Sequence, residues 1–238
     1  MIEVGFRDDP NLEMFGTVVA ALGDLCDSLV FVGGCANGLL LTEPRAELIR
    51  ATQDIDVVSQ VATAIQYHEL ERMVAARGFT HDTSPDAPIC RWLRDGIKLD
   101  LMSTQKDILG FSNRWYPLAV ETAVQVKIPT GLKLNLITAP VFVATKLEAF
   151  LDRGKQDYLA SHDLEDILTV INGRPELLEE VRTVNNELRE YLAGQIAELL
   201  AAQEFMQALP GHLPPDSASQ QRLPELMRRL RQLTRIES

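Results

Sequence analysis

The chain has 238 residues, enough for one large domain or two small ones, and its hydrophobic fraction of 46% suits an ordinary globular protein with a core to bury. Lysine and arginine total 23 against 34 aspartates and glutamates, a formal net charge of −11, which excludes broad, non-specific nucleic-acid binding through the whole surface but not a local basic groove. No apolar stretch approaches the ~18 residues of a membrane span, and the opening MIEVGFRDDPNLEM has neither the basic start nor the apolar h-region of a signal peptide. Cys26, Cys35 and Cys90 show no metal-ligand spacing. An odd count without a disulfide pattern suits a reducing compartment. A cytoplasmic protein with no membrane partner is the expectation.

Apolar positions Leu12, Phe15, Val18, Val19, Leu22 and Leu25 predict an amphipathic helix over 10–26. A short apolar strand over 29–32 ends at Gly33-Gly34, and a short helix follows over 36–41. Cys35, directly after the glycines, reads as a small buried hydrophobe. A charged, exposed connection over 43–52 leads to a second strand over 54–58. A helix over 62–77 stops at Gly78. Two strands over 89–94 and 97–103 flank Asp95-Gly96, a strong hairpin signal. A second pair, over 124–128 and 132–136, flanks Pro129-Thr130-Gly131. From Thr138 onward the pattern is helical. One helix runs to Arg153 before Gly154, with Thr138 as cap and Pro140 in the first turn. Ser161 caps the next, which ends at Asn172-Gly173. Pro175 opens a long helix to Leu209, and after the break LPGHLPPD a basic helix covers 223–235. The fold class is therefore α+β: a mixed sheet flanked by helices over 1–137, then a helical region over 138–238.

The second strand carries acids where a buried strand should not. Alternate residues of a strand share a face, so Asp54 and Asp56 point one way while Ile55 and Val57 point into the core. The strand after the hairpin alternates alike: Ile97, Leu99 and Leu101 on one face, Lys98, Asp100 and Met102 on the other. If the two strands are neighbours, Asp100 joins Asp54 and Asp56. Three carboxylates on one face repel each other unless a cation holds them, and hard oxygen donors suit Mg²⁺ or Mn²⁺. Two such ions can clamp the attacking and leaving oxygens of a nucleotidyl transfer. A strand, Gly33-Gly34 and a helix start present backbone N–H groups at close approach, which favours phosphate. Singly, each feature has a bland reading: a GG is a tight turn, a DxD a solvated strand end. The ordered set is what carries the chemistry.

Gly33-Gly34, then Arg50-x-Thr52-x-Asp54-Ile55-Asp56, then Asp100 in IKLDLM, resembles the DNA polymerase β-type nucleotidyltransferase superfamily. The R-x-T-x-D-I-D wording is most similar to the bacterial nucleotidyltransferases related to abortive-infection toxins of type IV toxin–antitoxin systems. ATKLEAFLDRGKQDYLASHDLEDILTVINGR resembles that group's K-x-x-A…R-G…D-x-x-D region, so the likeness covers roughly 30–175. It implies a minimal nucleotidyltransferase fold whose cleft the helical domain completes. It further implies Asp54, Asp56 and Asp100 as catalytic metal ligands, Gly33 and Gly34 on the triphosphate, Lys146 on a nucleotide phosphate, Asp163 as a further polar site residue, and Arg50 and Thr52 at the site's edge. The bland reading of Lys146 is a lysine snorkelling from a packed helix.

The implied activity transfers a nucleoside monophosphate from an NTP to a hydroxyl, with a tRNA end, a protein or a small molecule as acceptor and a cognate antitoxin as partner. GGCANGLLL is also similar to the GGxVRDxLL turn of CCA-adding enzymes, but Ala36-Asn37 stands where their basic–acidic pair would be. The rival from another class is a catalytically silent nucleotide-binding protein, regulatory or antitoxin-like. His162-Asp163 invites an HD-type phosphohydrolase reading, for which His68, His81 and His212 are not placed; Ser161 and Asp163 instead suit a helix's first turn. The arginines of the last helix read as a solvated face, with RNA or an acidic partner as the alternative.

Overall fold

The structure is a computed structural model and describes residues 2–6, 8–43, 49–153 and 157–236. The expected helix stop at Gly154 and the middle of the 43–52 connection lie outside the described residues. In chain order the strands are β1 (Ile2–Glu3), β2 (Leu29–Val32), β3 (Asp54–Ser59), β4 (Thr80–His81), β5 (Arg91–Arg94), β6 (Ile97–Ser103), β7 (Val124–Lys127) and β8 (Lys133–Leu136). Between them run α1 (Leu12–Leu22), α2 (Asn37–Leu40), α3 (Ala64–Ala76), α4 (Lys106–Leu109) and α5 (Tyr116–Thr122). After β8 come α6 (Ala139–Arg153), α7 (His162–Gly173), α8 (Leu177–Thr183), α9 (Asn186–Ala201), α10 (Gln203–Ala208), α11 (Ser217–Gln220) and α12 (Leu223–Leu233). The architecture is mixed α/β, as an α+β chain should be.

Two compact units emerge, residues 1–39 with 50–138 and residues 40–49 with 139–238. The change at 138 falls where strand patterning gives way to helical patterning. Residues 40–43, assigned by their sequence position to the first unit, pack with the helices instead: the N–H groups of Thr42 and Glu43 both donate to the Gly173 carbonyl (3.1 and 3.0 Å).

The eight strands of the first unit form one mixed sheet in the order β1-β7-β8-β2-β3-β6-β5-β4. The β5–β6 hairpin turns on Asp95 (φ 50°) and Gly96 (φ 80°), the pair of positive φ angles that a type I′ turn requires. β3 lies between β2, antiparallel, and β6, parallel. Its core side chains Ile55 and Val57, like Leu99 and Leu101 of β6, are fully buried. Helix α1 adds Phe15, Val18, Val19 and Leu22 to this core, and the Phe15 ring stands 5.3 Å from that of Phe31 on β2. Helix α3 begins on Thr63, whose side chain accepts from the Gln66 N–H (3.3 Å).

In the second unit α6 and α7 are buried along most of their length, and α9 contributes Leu188, Leu192, Ile196 and Leu199 at helical spacing. The long helix expected from 175 to 209 is three helices. Val184 adopts an extended backbone and Asn185 caps α9 by accepting from the Leu188 N–H (2.9 Å); Ala202, also extended, ends it. Asn185 lies before a new apolar period, so its short side chain competes with helix continuation and wins. The arginines of α12 are also not a simple solvated face. Arg222 donates from Nε to Asn172 Oδ1 (2.9 Å) and from Nη2 to the Asn172 carbonyl (2.8 Å), and Arg229 donates to the carbonyls of Ile171 and Asn172. Two cations thus satisfy carbonyls that α7 leaves open at its C-terminus. Among the described residues no helix is long and apolar enough to cross a membrane.

Candidate active site

The parallel β3–β6 register sets Asp54 opposite Lys98 and Asp56 opposite Asp100, so Asp54, Asp56 and Asp100 share a face as strand alternation requires. Across the other edge of β3, Val32 pairs with Asp56, which brings the end of β2 and its glycine turn to the same place. Gly33 has φ 71°, and a Cβ built on it would overlap the Asp56 carboxylate and stand 2.7 Å from Asp56 Cβ. Only glycine allows the turn to lie this close against the acid. Gly34 and Cys35 follow, both buried, in a single 3₁₀ turn that leads into α2. The Cys35 thiol donates to the Val32 carbonyl (3.5 Å), as a buried thiol would.

Arg91 is the residue that reading along the sequence missed. It lies directly opposite Asp100 in the antiparallel β5–β6 register. Its Nε donates to Asp100 Oδ1 at 2.8 Å and its Nη2 to Asp100 Oδ2 at 2.7 Å, a bidentate fork; Nη2 also stands 3.5 Å from Asp54 Oδ2. The pair is largely enclosed, with the Arg91 side chain 17% and the Asp100 side chain 10% exposed, whereas Asp54 is 42% exposed. The hydrogen bonds to Asp100 hold the guanidinium's pKa above its ordinary value. Arg91 was legible as a strand residue, but its meeting with Asp100 depends on hairpin register, which a composition or spacing argument does not supply. Cys90, next along, is buried: burial first, then the Asp100 charge, pushes its thiol up to about 12. It is a packing residue beside the acids, not a nucleophile.

Arg50 and Thr52 are held from behind by Asn11. The buried Asn11 amide donates from Nδ2 to the Arg50 carbonyl (2.9 Å) and accepts at Oδ1 from the Thr52 N–H (2.8 Å). The Thr52 hydroxyl donates to the Asp54 carbonyl (3.2 Å). Their visible role is to aim the chain into β3.

Lys146 and Asp163 meet in the second unit. Lys146 Nζ stands 3.1 Å from Asp163 Oδ1 and 2.7 Å from Asp166 Oδ2, all three side chains being under a tenth exposed. Arg153 grips Asp163 with Nε on Oδ2 and Nη2 on Oδ1, both at 3.0 Å. Burial by itself would raise the Asp163 pKa; the Arg153 hydrogen bonds and Lys146 outweigh it and hold the carboxyl below the usual range. Lys146 does not snorkel: its ammonium is enclosed and matched by two aspartates. His162 pairs with Glu165 on the surface in the first turn of α7, and Ser161 caps that helix by accepting from the Leu164 N–H, the helix-start roles that their positions suggest.

The three acids fit a hard divalent cation by donor type, and the missing Cβ of Gly33 leaves the Asp56 carboxylate room. As the side chains stand, Arg91 is the cation on Asp100 and beside Asp54, and among the described residues no three His, Cys, Asp or Glu side chains are gathered closely enough to hold a metal ion. The chain matches no protein-family model, and no curated protein is significantly similar to it.

Proposed function

We propose that the protein is a metal-dependent nucleotidyltransferase, which moves a nucleoside monophosphate from an NTP to a hydroxyl acceptor on a minimal nucleotidyltransferase fold. The observation that carries this reading is the juxtaposition of Gly33 with Asp56 and, in register, Asp100: a glycine turn placed one missing Cβ from a row of carboxylates. Mg²⁺ or Mn²⁺, held by Asp54, Asp56 and Asp100, would offset the negative charge of the triphosphate and of the transition state. The N–H groups of the Gly33-Gly34 turn orient the phosphate chain. The acceptor oxygen attacks the α-phosphorus in line, the bond to the bridging oxygen breaks, and pyrophosphate leaves. The acceptor's proton passes to a carboxylate oxygen on this face, for which Asp100 is the candidate base.

The resemblance to toxin-related nucleotidyltransferases extends the proposal to a tRNA 3′ end or a protein hydroxyl as acceptor and to a cognate antitoxin as partner. A small cationic acceptor suits the acidic composition of the chain. One observation favours a second reading, a nucleotide-binding regulatory or antitoxin-like protein without catalysis: the Arg91–Asp100 fork neutralises an acid that catalysis would use.

A single assay separates the two. Labelled NTPs are incubated with Mg²⁺, the protein, and total RNA or candidate proteins. The transferase reading expects Mg²⁺-dependent pyrophosphate release and labelled acceptor, reduced at least ~100-fold by Asp54→Asn or Asp100→Asn. NTP binding without pyrophosphate release supports the silent reading, and activity that survives both substitutions rules out this site.

A further inference from the structure

Arg91 is a cation that a site built to hold a metal ion does not call for. It reaches Asp100 across the β5–β6 ladder, engages both carboxylate oxygens, and has a nitrogen near Asp54 as well. A divalent cation on Asp54 and Asp100 would stand beside this guanidinium, and two positive charges at such range in a half-buried setting repel strongly. Moving the arginine off without a replacement is also unfavourable, since it would strand an enclosed guanidinium with no anion. The fork that fits a carboxylate fits a phosphate equally well, with the same two parallel N–H···O bonds. A triphosphate laid against the Gly33 turn would bring that replacement anion to the same sheet face.

We propose that the acid row is loaded by partner exchange, with Arg91 as its resident counter-cation: the guanidinium leaves Asp100 for a phosphate of the incoming triphosphate as a divalent cation takes the carboxylates. This rests on the nucleotidyltransferase reading of the site and adds to it an order of events. Metal alone must displace Arg91 without compensation and binds weakly. Metal and triphosphate together satisfy both sides of the broken pair, so each raises the affinity of the other, by the same factor in either direction. Asp100 is thereby kept neutralised until substrate arrives. Lys98, opposite Asp54 in the β3–β6 register, is a second cation on this face but lies two pairs along from Asp100.

The test is a titration of the full-length chain with Mn²⁺, read by electron paramagnetic resonance of the free ion. It is run on the wild type, Arg91→Gln and Arg91→Lys, with and without a non-hydrolysable nucleoside triphosphate, and corrected for Mn²⁺ bound to nucleotide in solution. The wild type is expected to bind Mn²⁺ weakly alone and about 5- to 150-fold more tightly with nucleotide, the usual range of such coupling. Arg91→Gln is expected to bind Mn²⁺ alone at least ~5-fold more tightly than the wild type and to show weaker coupling than it. Arg91→Lys, whose ammonium cannot fork, is expected to fall between, and carries the test alone if Arg91→Gln does not fold by its thermal transition. Mn²⁺ affinity no tighter in these variants than in the wild type, or coupling as large in them as in the wild type, overturns the exchange while leaving the acid site standing. Absence of Mn²⁺ binding in every protein overturns the acid site and the exchange together.

Discussion

Gly33 has no room for a side chain. Its positive φ already disfavours any L-residue, and the Asp56 carboxylate fills the space a Cβ needs. Gly33→Ala is therefore expected to lower stability by ~1–3 kcal/mol, the order of one strained backbone position, measurable by urea denaturation. Under the proposed function it should also weaken nucleotide binding by displacing Asp56. An alanine variant that matches the wild type in both would mean that the turn and the acid are not in contact. Arg91 teaches the converse lesson, because its importance lies wholly in what stands opposite it.

At the level of single helices, α6 and α7 are joined by more than apolar packing. Lys146 from α6 meets Asp163 and Asp166 from α7, and Arg153 closes the cluster from the end of α6. An enclosed ammonium between two enclosed carboxylates makes removal of one member far more harmful than the whole cluster is stabilising, since the partners are left charged and unpaired. Lys146→Ala should cost ~3–5 kcal/mol, read as a fall in the thermal transition with loss of helical circular dichroism. A transferase that loses activity on this substitution with its melting unchanged would instead point to a direct role in binding phosphate. The helix breaks at Val184-Asn185 and Ala202 have a local origin, in caps that the apolar period conceals. The C-terminus of α7 is different: its carbonyls are closed by Arg222 and Arg229, some fifty residues away in the chain.

For the molecule as a whole, the Asp163 cluster sets a pH dependence of known sign. Its carboxyl is held below the usual range in the folded state. The stabilisation is therefore fully present above the unfolded pKa of about 3.9 and is lost as pH falls from there through the lower folded value. Far-UV circular dichroism followed downward from pH 6 should show the helical unit losing stability below about pH 4, with a shallower slope in Asp163→Asn. A slope unchanged by that substitution would place the acid-sensitive group elsewhere.

Much of the fold was legible because its causes are local. Strand alternation predicted which side chains of β3 and β6 are core and which are acids, Asp95-Gly96 predicted the hairpin, and Ser161 predicted the cap of α7. Short pairing segments such as β1 and β4 were not legible, since two residues carry no period. The acid row was legible only as a conditional, because periodicity orients a side chain but does not choose a strand's neighbour.

The sequence by itself determined that Asp54 and Asp56 share a face, that Asp100 lies on the face of its strand opposite Leu99 and Leu101, and that a glycine pair follows the preceding strand. These follow from the two-residue repeat of a strand and from the absence of a Cβ. Only the tertiary structure decided that β6 lies beside β3 with Asp100 opposite Asp56, that Gly33 closes on Asp56, and that Arg91 holds Asp100. Those outcomes depend on sheet order and register, which non-local packing selects and no local pattern encodes.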